Sequence, residues 1–439
     1  MPGGFFFRKE CFVFMKGFSV PSILCLVLII SCSREPLPEL VVTAYTPGQW
    51  LSREAETLAA SLTQRQRAAQ VLMTGIDGKH TFPPHLWAHF EGIVPGAILL
   101  FGYNIADTPE KVHAYLASCS HAFGVPGGSV TPFFAIDHEG GSVFRLSGIT
   151  SSLPSAARIS RTLPVDQTEK LYAYSGTQLR LLGFTMNLAP VAEVLSPSNA
   201  PFLANRSFDS DPDRVIAYAA AAVRGYRRSG VLPVLKHYPG NTDADPHSFS
   251  SSLDIPDEEF DSVYRYPFRT LFSRGAPAVL LSHIRLTTLD PDVPFCLSPA
   301  GVTGILRNGD AFSGLVITDD ISMGALADGS SSSAENAVQA IRSGCDMVMT
   351  SDTDIQAIVS AIEAEARKDA VFDRRLEEAV VSILRAKFDT GIVYTARQRY
   401  ARSRLGRDTV ASTSSFCTQD FIEAGKQATL ILENSHEHD

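Results

Sequence analysis

The chain alternates short apolar runs with helical patterns over most of its length. Eight runs end in polar or small residues: VLMTGID at 71, GAILLFG at 96, FFAID at 133, FTMNLAP at 184, LPVLKH at 232, AVLLSHI at 278, GLVITDD at 314 and DMVMTSD at 346. Helical patterns such as TEKLYAYSGTQLRLLG, DRVIAYAAAAVRGYRRSG and SAENAVQAIRSG lie between most of them. Strands that alternate with helices indicate parallel βαβ units, and nearly continuous apolar strands suit a sheet buried on both faces.

Eight such units predict an α/β fold, a (β/α)8 TIM-barrel-like catalytic domain with inserted loops. An open doubly wound sheet is the alternative, but no glycine-rich phosphate loop follows an early run. The polar residues favour the barrel, because the carboxyl ends of barrel strands are where active sites are built. Five polar residues stand at such ends: Asp137, Lys236, His237, His283 and Asp319.

The N-terminal segment has the pattern of an export signal. From Met15, one lysine precedes an apolar stretch that ends in Ile-Ile-Ser-Cys at 29–32. This predicts a secretory signal over residues 1–31. The ending is similar to a bacterial lipobox, which predicts lipidation at Cys32 and a membrane lipoprotein of the bacterial cell envelope. An ordinary signal anchor, or cleavage at another position, is the alternative.

The rest of the chain divides by composition. Residues 32–60 are rich in Pro, Ser, Thr and Glu and predict a tether, and residues 61–396 contain the predicted barrel. LTQRQRAAQVLMTGIDG opens that part as a helix leading into a strand. Residues 397–439 predict a basic linker and a short tail, whose FIEAGKQATLILENS indicates a helix and a strand, as at the start of a second domain.

Composition narrows the class of partner. The net charge is -9, and an acidic protein is a poor candidate for nucleic-acid binding. Apolar residues make up 45% of the chain, which is enough for a large core. The seven cysteines show no CxxC spacing, so neither a zinc site nor a dense disulfide framework is expected. We expect a monomer, with no metal and no cofactor.

Asp319 is the first candidate for chemistry. A carboxylate at the end of a barrel strand can act as nucleophile, base or metal ligand. The alternative is a structural one, because DDISMGAL is expected to open a helix and either Asp319 or Asp320 could serve as its N-cap.

The loop KHYPGNTDADPHS at 236–248 is the second candidate. Its prolines and glycine exclude a helix or a central strand. Asp245 stands two residues before His247, and a nearby carboxylate can fix the tautomer of an imidazole and raise its pKa, which suits a general acid. A solvated surface loop is the alternative, and Asp243 is expected to be solvated.

A metal site and a binding site for hydroxyl groups are further interpretations. His237, Asp245, His247 and Asp319 could hold a metal, but no HExxH spacing occurs and a lysine beside them would repel a cation. Cationic side chains bind hydroxyls or anions, a carboxylate accepts two sugar hydroxyls, and Gly140 with Gly141 indicates backbone close to a ligand or another element. The candidates for hydroxyl binding are Asp137, Arg145, Arg206 and Lys236.

Together these residues resemble glycoside hydrolase family 3, in particular its bacterial β-N-acetylglucosaminidases with a single catalytic barrel. The resemblance runs from about residue 61 to 395. It rests on GAILLFGYNI, FFAIDHEGGSVFRL, NLAPVAEV, NRSFDSDPDRV, KHYPG, DPHS, LSHI and GLVITDDISMGA.

The resemblance implies a role for each candidate. Asp319 matches the catalytic nucleophile, and His247 matches the acid/base histidine, with Asp245 as its partner. The residues that match the sugar-binding positions of the family are Asp137, Arg145, Arg206, Lys236 and His237. The chain departs from the family pattern at Asn241-Thr242, where the family has His-Gly, in a spacer about two residues shorter, and at Pro246, where the family has Ser.

The expected function is a retaining exo-glycosidase that releases terminal β-linked N-acetylglucosamine from amino-sugar glycans such as peptidoglycan fragments. Three alternatives stay open at this point. The first is a β-glucosidase or β-xylosidase, the second a glycoside phosphorylase of the same family, and the third a non-catalytic sugar-binding lipoprotein.

Overall fold

The predicted apolar runs form parallel strands. The structure is a computed structural model and describes residues 47–124, 130–244, 251–324, 326, 331–393 and 416–435. In those ranges the strands are β1 (Leu72–Gly75), β2 (Ala97–Leu100), β3 (Phe133–Ile136), β4 (His138–Gly140), β5 (Val143–Phe144), β6 (Met186–Asn187), β7 (Leu232–Pro233), β8 (Leu235–Tyr238), β9 (Ser252–Leu253), β10 (Ala278–Leu281), β11 (Arg285–Leu286), β12 (Leu315–Thr318) and β13 (Val348–Thr350).

The paired strands form a closed ring. One set runs β13–β1–β2–β3–β6–β7 and the other β12–β10–β8, with every neighbouring pair parallel. Strands β7 and β8 belong to one run that is interrupted at Val234. Parallel bridges from Val191 to Lys236 and from Ile317 to Met347 join the two sets. An open sheet would not return to its starting strand, so the α/β prediction is confirmed and the arrangement is TIM-barrel-like.

Helices occupy most of the segments between strands. The α-helices are α1 (Pro47–Ser61), α2 (Gln64–Gln70), α3 (Leu86–Phe90), α4 (Pro109–Gly124), α5 (Ala156–Thr162), α6 (Val165–Leu182), α7 (Ala200–Leu203), α8 (Pro212–Arg228), α9 (Asp257–Glu259), α10 (Tyr266–Ser273), α11 (Ser333–Ser343), α12 (Ile355–Lys368), α13 (Ala370–Asp389) and α14 (Thr418–Asn434). Shorter 3-10 or π-helical segments lie at Gly102–Asn104, Ala204–Arg206, Phe260–Arg265, Phe295–Leu297 and Ala300–Gly309.

Local chemistry explains where these helices begin. Thr63 and Ser332 each form a reciprocal capping box with the residue three positions on, Gln66 and Glu335. Asp211 accepts a hydrogen bond from the Asp213 amide in front of α8, whose first residue is a proline. The helical patterns predicted from sequence around α6, α8 and α11 are confirmed.

Three sequence predictions about elements are wrong. The tether over residues 32–60 does not hold for 47–60, because α1 packs against α13 and buries Ala55 and Ala59. The tail is one helix instead of a helix and a strand, since α14 continues through ATLIL and packs on α6. The segment at Asp319–Gly324 forms turns instead of opening a helix, and in the described ranges the next helix, α11, begins at Ser333.

In the described ranges, no helix combines the length and the apolar character that a membrane span requires.

Candidate active site

The polar residues expected at strand ends meet at the carboxyl side of the barrel. Asp137 directly follows β3, Lys236 and His237 lie in β8, and Asp319 directly follows β12. The Asp319 amide donates to the Leu281 carbonyl of β10 at 3.0 Å, which continues the strand pairing to this residue. Parallel strands therefore bring together side chains that are far apart along the chain.

Two cations and two carboxylates form a connected cluster at this end. Lys236 Nζ lies 2.6 Å from Asp137 Oδ1 and 2.6 Å from Glu139 Oε1. Arg206 donates from Nε and from Nη2 to the two oxygens of Glu139, each at 2.9 Å. Lys236 and Glu139 are buried, whereas Asp137 keeps 23% of its side chain exposed. The cluster thus presents Asp137 toward solvent on a fixed base of opposite charges.

The pKa values in the cluster follow from this pairing. Burial alone would raise the pKa of Glu139, but Lys236 and Arg206 outweigh it and lower that pKa to about 2. Burial opposes the charge on Lys236 and on Arg206, yet their carboxylate neighbours raise both pKa values. Glu139, Lys236 and Arg206 therefore all stay charged at neutral pH.

His237 belongs to a second buried group. Its Nδ1 lies 2.7 Å from Glu193 Oε1, and the same carboxylate accepts from the Asn241 amide at 2.7 Å and from Asn241 Nδ2 at 3.0 Å. A carboxylate only accepts, so Nδ1 carries a proton and Nε2 is left for another partner. Asn241 is one of the departures from the family pattern, and the structure shows that it ties the base of its loop to Glu193.

Asp319 faces this arrangement from the other side of the ring, since β12 and β3 are four strands apart in it. Burial favours its protonated form, but the imidazoles of His283 and His237 when protonated, the Asp320 amide and Lys236 lower its pKa overall. Asp319 is thus held as a carboxylate in a cationic environment. An ionised carboxylate at this place can attack an electrophilic carbon.

Asp320 has a structural role instead. Its Oδ1 accepts from the Ser322 amide at 2.9 Å and from the Ser351 amide at 3.0 Å, which ties the turn after β12 to the end of β13. Asp320 thus caps a turn, whereas Asp319 interacts electrostatically with the cationic side chains of the site.

Other predicted site residues lie apart from the cluster or outside the described ranges. Arg145 is exposed, and in the part of the chain that the structure describes no hydrogen bond joins it to the cluster. Asp243 is exposed, as predicted. Asp245, His247 and the lipidation candidate Cys32 lie outside the described residues.

Sequence reasoning missed the buried carboxylates that organise the site. Glu139 and Glu193 lie in motifs that carry the family resemblance, but the sequence predicts no role for them, because nothing in it distinguishes a buried glutamate from a solvated one. The available signal was position: Glu139 comes two residues after a strand-end aspartate, and Glu193 comes three residues after the apolar run FTMNLAP. Among the described residues, no group of three or more His, Cys, Asp or Glu side chains could hold a metal ion.

Gly140 shows why the loop after β3 needs glycine. Its φ is +96°, a left-handed conformation that side chains rarely adopt. A Cβ atom here would lie 2.3 Å from the Pro154 carbonyl oxygen, which is a clash. The backbone at Gly140 therefore lies close to another segment of the protein, at Pro154. This contact holds in place the β4–β5 hairpin, which carries Glu139.

His138 lies between the two cluster carboxylates in sequence and is fully buried. Its backbone amide donates to Asn187 Oδ1 and its carbonyl accepts from Asn187 Nδ2, but within the described ranges neither ring nitrogen has a hydrogen-bond partner. Burial lowers the pKa of His138 to about 3. The ring is therefore neutral in the folded protein at every ordinary pH.

His138 should make the protein less stable in mild acid. The unfolded chain takes up a proton at this residue near pH ~6.5, whereas the folded protein does not until about pH 3, so stability present above pH ~6.5 is lost as the pH falls below it. Between pH 7.5 and 5.5 this amounts to about 1.4 kcal/mol in the free energy of unfolding. Urea unfolding at both pH values measures it.

The matched variant is His138→Met, which replaces the imidazole with an apolar side chain of similar size that does not titrate. Its loss of stability between the two pH values should be smaller than that of the wild type by the same amount. Carboxylates stay ionised in this range and cancel in the comparison. Equal losses in both proteins would contradict the buried neutral ring.

The chain is similar in sequence to proteins of known families. Residues 90–386 match the family described as Glycosyl hydrolase family 3 N terminal domain. A protein named Beta-hexosaminidase LpqI, from Mycobacterium tuberculosis, is 30% identical over 348 residues, which cover 76% of this chain and 85% of that protein.

The fold is also similar to solved structures. A glycoside hydrolase family 3 beta-N-acetylglucosaminidase from Paenibacillus sp. superposes with a TM-score of 0.72 at 25% identity, over 85% of this chain and 69% of that one. A Beta-N-acetylhexosaminidase from Beutenbergia cavernae gives a TM-score of 0.67 at 29% identity, over 75% of this chain and 99% of that one. The matched family region contains every residue of the cluster described above.

Proposed function

Because the chain belongs to glycosyl hydrolase family 3, we propose that it is a retaining exo-β-N-acetylglucosaminidase. It removes terminal β-linked N-acetylglucosamine from amino-sugar glycans such as peptidoglycan fragments. The observation that carries the proposal is the ionised Asp319 at the end of β12, across the ring from Asp137 and its supporting charges. The names of the relatives support the choice of sugar.

The charged cluster supports recognition of one terminal sugar ring. Asp137, the most exposed carboxylate of the cluster, accepts hydroxyl hydrogens, while Lys236, Arg206 and His237 donate to hydroxyl oxygens. Glu139 and Glu193 hold these donors in fixed positions, so little side-chain freedom is lost on binding. Arg145 is kept as a candidate contact from the neighbouring exposed segment.

Glycosylation is the first chemical step. An Asp319 oxygen forms a bond to the anomeric carbon as the bond from that carbon to the leaving oxygen breaks. His247, held by Asp245, gives its proton to the leaving oxygen, which departs as an alcohol. The positive charge that develops on the ring is stabilised by the Asp319 carboxylate.

Hydrolysis of the glycosyl-Asp319 ester is the second step. Neutral His247 removes a proton from a water molecule, whose oxygen attacks the anomeric carbon while the carbon–Asp319 bond breaks. The sugar leaves with its β configuration retained, and Asp319 and protonated His247 are restored. Two inversions at one carbon account for the retention.

The test uses p-nitrophenyl β-N-acetylglucosaminide, p-nitrophenyl β-glucoside and protein that begins at Ser33. The wild type should hydrolyse the first substrate far faster than the second. His247→Ala should lower kcat by roughly 10²-fold, because only the deprotonation of water strictly needs the base when the leaving group is a nitrophenolate. Added azide should restore turnover and give the glycosyl azide, since an anion needs no base.

Asp243→Ala is the matched control, because it removes an exposed carboxylate from the same loop. Its kcat should stay near the wild-type value. Full activity in His247→Ala would exclude the acid/base role. Preferred turnover of the glucoside favours a β-glucosidase, a sugar 1-phosphate product formed with added phosphate identifies a phosphorylase, and binding without turnover identifies a sugar-binding protein.

The membrane location stays a prediction from the sequence. Export, cleavage before Cys32 and a lipid anchor in the bacterial envelope rest on the pattern at residues 15–32. A lipoprotein at the membrane surface would place the barrel next to cell-wall glycans, which is consistent with the proposed substrate.

A further inference from the structure

Two aromatic rings lie at the barrel rim beside Asp137. Phe101 directly follows β2 and Asp137 directly follows β3, and the residues before them, Leu100 and Ile136, are partners in the parallel pairing. Adjacent strands lie about 5 Å apart, so Phe101 and Asp137 stand side by side at the carboxyl ends of their strands. Tyr103 follows in the same loop, and its ring stacks on that of Phe101, with centroids 5.7 Å apart and 15° between the ring planes.

Tyr103 presents one face of its ring to solvent. The residue is 60% exposed, and Phe101 covers the other face. The pair leans toward β1: a Cβ atom added to Gly75, the last residue of that strand, would lie 3.5 Å from Phe101 Cε2 and 3.8 Å from the Tyr103 hydroxyl oxygen. Because Gly75 has no side chain, the two rings extend from the end of β2 to the end of β1.

The turn that carries Tyr103 is fixed by a buried asparagine. Asn104 Oδ1 accepts from the Phe101 amide at 2.9 Å, and Asn104 Nδ2 donates to the carbonyls of Ile76 at 2.7 Å and Gly78 at 2.8 Å. These bonds join the loop after β2 to the loop after β1. A tyrosine has only two side-chain torsions, so a ring held in this way loses little conformational freedom when a ligand packs on it.

The place of the aromatic pair in the ring of strands relates it to the reaction. From Asp137 to Asp319, one arc of the ring passes through β6, β8 and β10 and carries Lys236 and His237, whereas the other passes through β2, β1 and β13. The aromatic pair stands on the second arc. In the proposed function the charged arc holds the terminal sugar, which leaves the aromatic arc for the part of the glycan beyond the bond that is cleaved.

We propose that Tyr103, stacked on Phe101, is a binding platform for the second pyranose ring of the glycan, the sugar that leaves with the glycosidic oxygen. The inference rests on the proposed function, because it assigns the leaving side of the same site. A β-linked pyranose with equatorial substituents has axial C–H bonds on its faces, and these pack on the electron-rich face of an aromatic ring. The contact therefore contributes only when the substrate has a second ring.

Two substrates separate this contact from the rest of the site. N,N′-diacetylchitobiose has a second sugar ring, whereas the leaving group of methyl β-N-acetylglucosaminide has no ring; aryl glycosides are avoided because an aryl group would itself stack on Tyr103. Tyr103→Ala should lower kcat/KM about tenfold for the disaccharide and at most about twofold for the methyl glycoside. Tyr103→Phe keeps the ring and should stay within about twofold of wild type on both. Released N-acetylglucosamine measures the rates.

Val371→Ala is the matched control, because it removes an apolar side chain that is 63% exposed at the start of α13. It should leave both rates at the wild-type level. Equal losses on the two substrates in Tyr103→Ala, an unchanged rate on the disaccharide, or a loss in Tyr103→Phe as large as in Tyr103→Ala would each overturn the proposal. A wild-type dimer that dissociates in Tyr103→Ala, detected by sedimentation, would assign the ring to a contact between two copies of the chain and would also overturn it.

A binding measurement separates the platform from the proposed reaction. If the wild type cleaves neither substrate, titration calorimetry with the intact disaccharide compares the wild type with Tyr103→Ala. Binding that is about tenfold weaker in Tyr103→Ala would support the platform and count against the proposed hydrolysis alone. Equal binding by the two proteins, or no binding by either, would overturn the platform.

Discussion

Asp319→Asn is expected to lower kcat/KM for the aryl N-acetylglucosaminide by at least about 10³- to 10⁴-fold. The amide has the size of the carboxylate, and its oxygen can still accept from the Asp320 amide, a contact of 2.9 Å in the wild type. What is lost is the negative charge, and with it both the covalent route and the stabilisation of a cationic sugar ring. Initial rates at saturating and at low substrate measure the effect.

Asp320→Asn is the matched control for this substitution. Asp320 is the adjacent carboxylate, and its Oδ1 accepts two backbone hydrogen bonds that an asparagine oxygen can also accept. Its kcat/KM should stay within about tenfold of wild type, because only local turn geometry is affected. Similar losses in the two variants would remove the reason to assign the attack to Asp319.

Trapping identifies the attacking oxygen directly. An activated 2-deoxy-2-fluoro glycoside should add one glycosyl mass to the peptide that contains Asp319 in the wild type and to no peptide in Asp319→Asn. The anomeric configuration of the first-formed product, followed by NMR, should be β. An α product would contradict the two-step route, and an adduct on another residue would assign the nucleophile elsewhere.

Glu139→Gln is expected to cost about 3–5 kcal/mol of the free energy of unfolding. Glu139 is buried and accepts from Arg206 and Lys236 together, so a neutral amide would leave two buried cations with too few acceptors. Lys236 would depend on Asp137 alone, which should also raise KM because Asp137 would be drawn away from substrate. Urea unfolding at pH 7 measures the stability, and substrate kinetics measure the KM.

The chain offers as a control a counterpart of Glu139 whose cationic partners are exposed. Glu169 also contacts two arginines, Arg224 at 2.6 Å and Arg228 at 2.8 Å, but these keep 50% and 67% of their side chains exposed. Glu169→Gln should cost at most about 1 kcal/mol, because water solvates the released cations. If both variants lose the same stability, burial does not amplify the pairing and the account of the cluster fails.

The contacts of Glu139 with Lys236 and Arg206 also determine how its contribution to stability changes with pH. Glu139 has a pKa of about 2 in the folded protein, below its ordinary value of 4.5. Its stabilisation is therefore complete above the unfolded value of 4.5 and is lost as the pH falls toward 2. Wild type and Glu139→Gln should thus differ least in strong acid, which separates this effect from that of His138 at milder pH.

Local patterns in the sequence determined the strands and the place of the site. The apolar runs are short and end at polar residues, and both features act over a few neighbouring residues. All eight runs became barrel strands, and Asp137, Lys236, His237 and Asp319 stand at their carboxyl ends. Once the strands are parallel, geometry alone brings those ends together, so the candidate site could be inferred without knowing any contact.

Local patterns were misleading where a neighbour from elsewhere in the chain decides the outcome. ATLIL has the composition of a strand, but it continues α14 because one face of that helix is buried on α6. Residues 47–60 have the composition of a tether, but Ala55 and Ala59 pack against a helix more than 300 positions later. Turns follow Asp319 and Asp320, and the Asp320 side chain accepts from the amide of Ser351, which directly follows β13.

Only the tertiary structure decided which charges pair and which side chains support the reactive carboxylate. Glu139 meets Arg206 across 67 positions and Lys236 lies 99 positions from Asp137. Composition and periodicity carry no information on such partners, because a charged residue has the same letter whether water or an opposite charge surrounds it. Ring closure and burial select the partner, and low local polarity then makes each pairing strong enough to set a pKa.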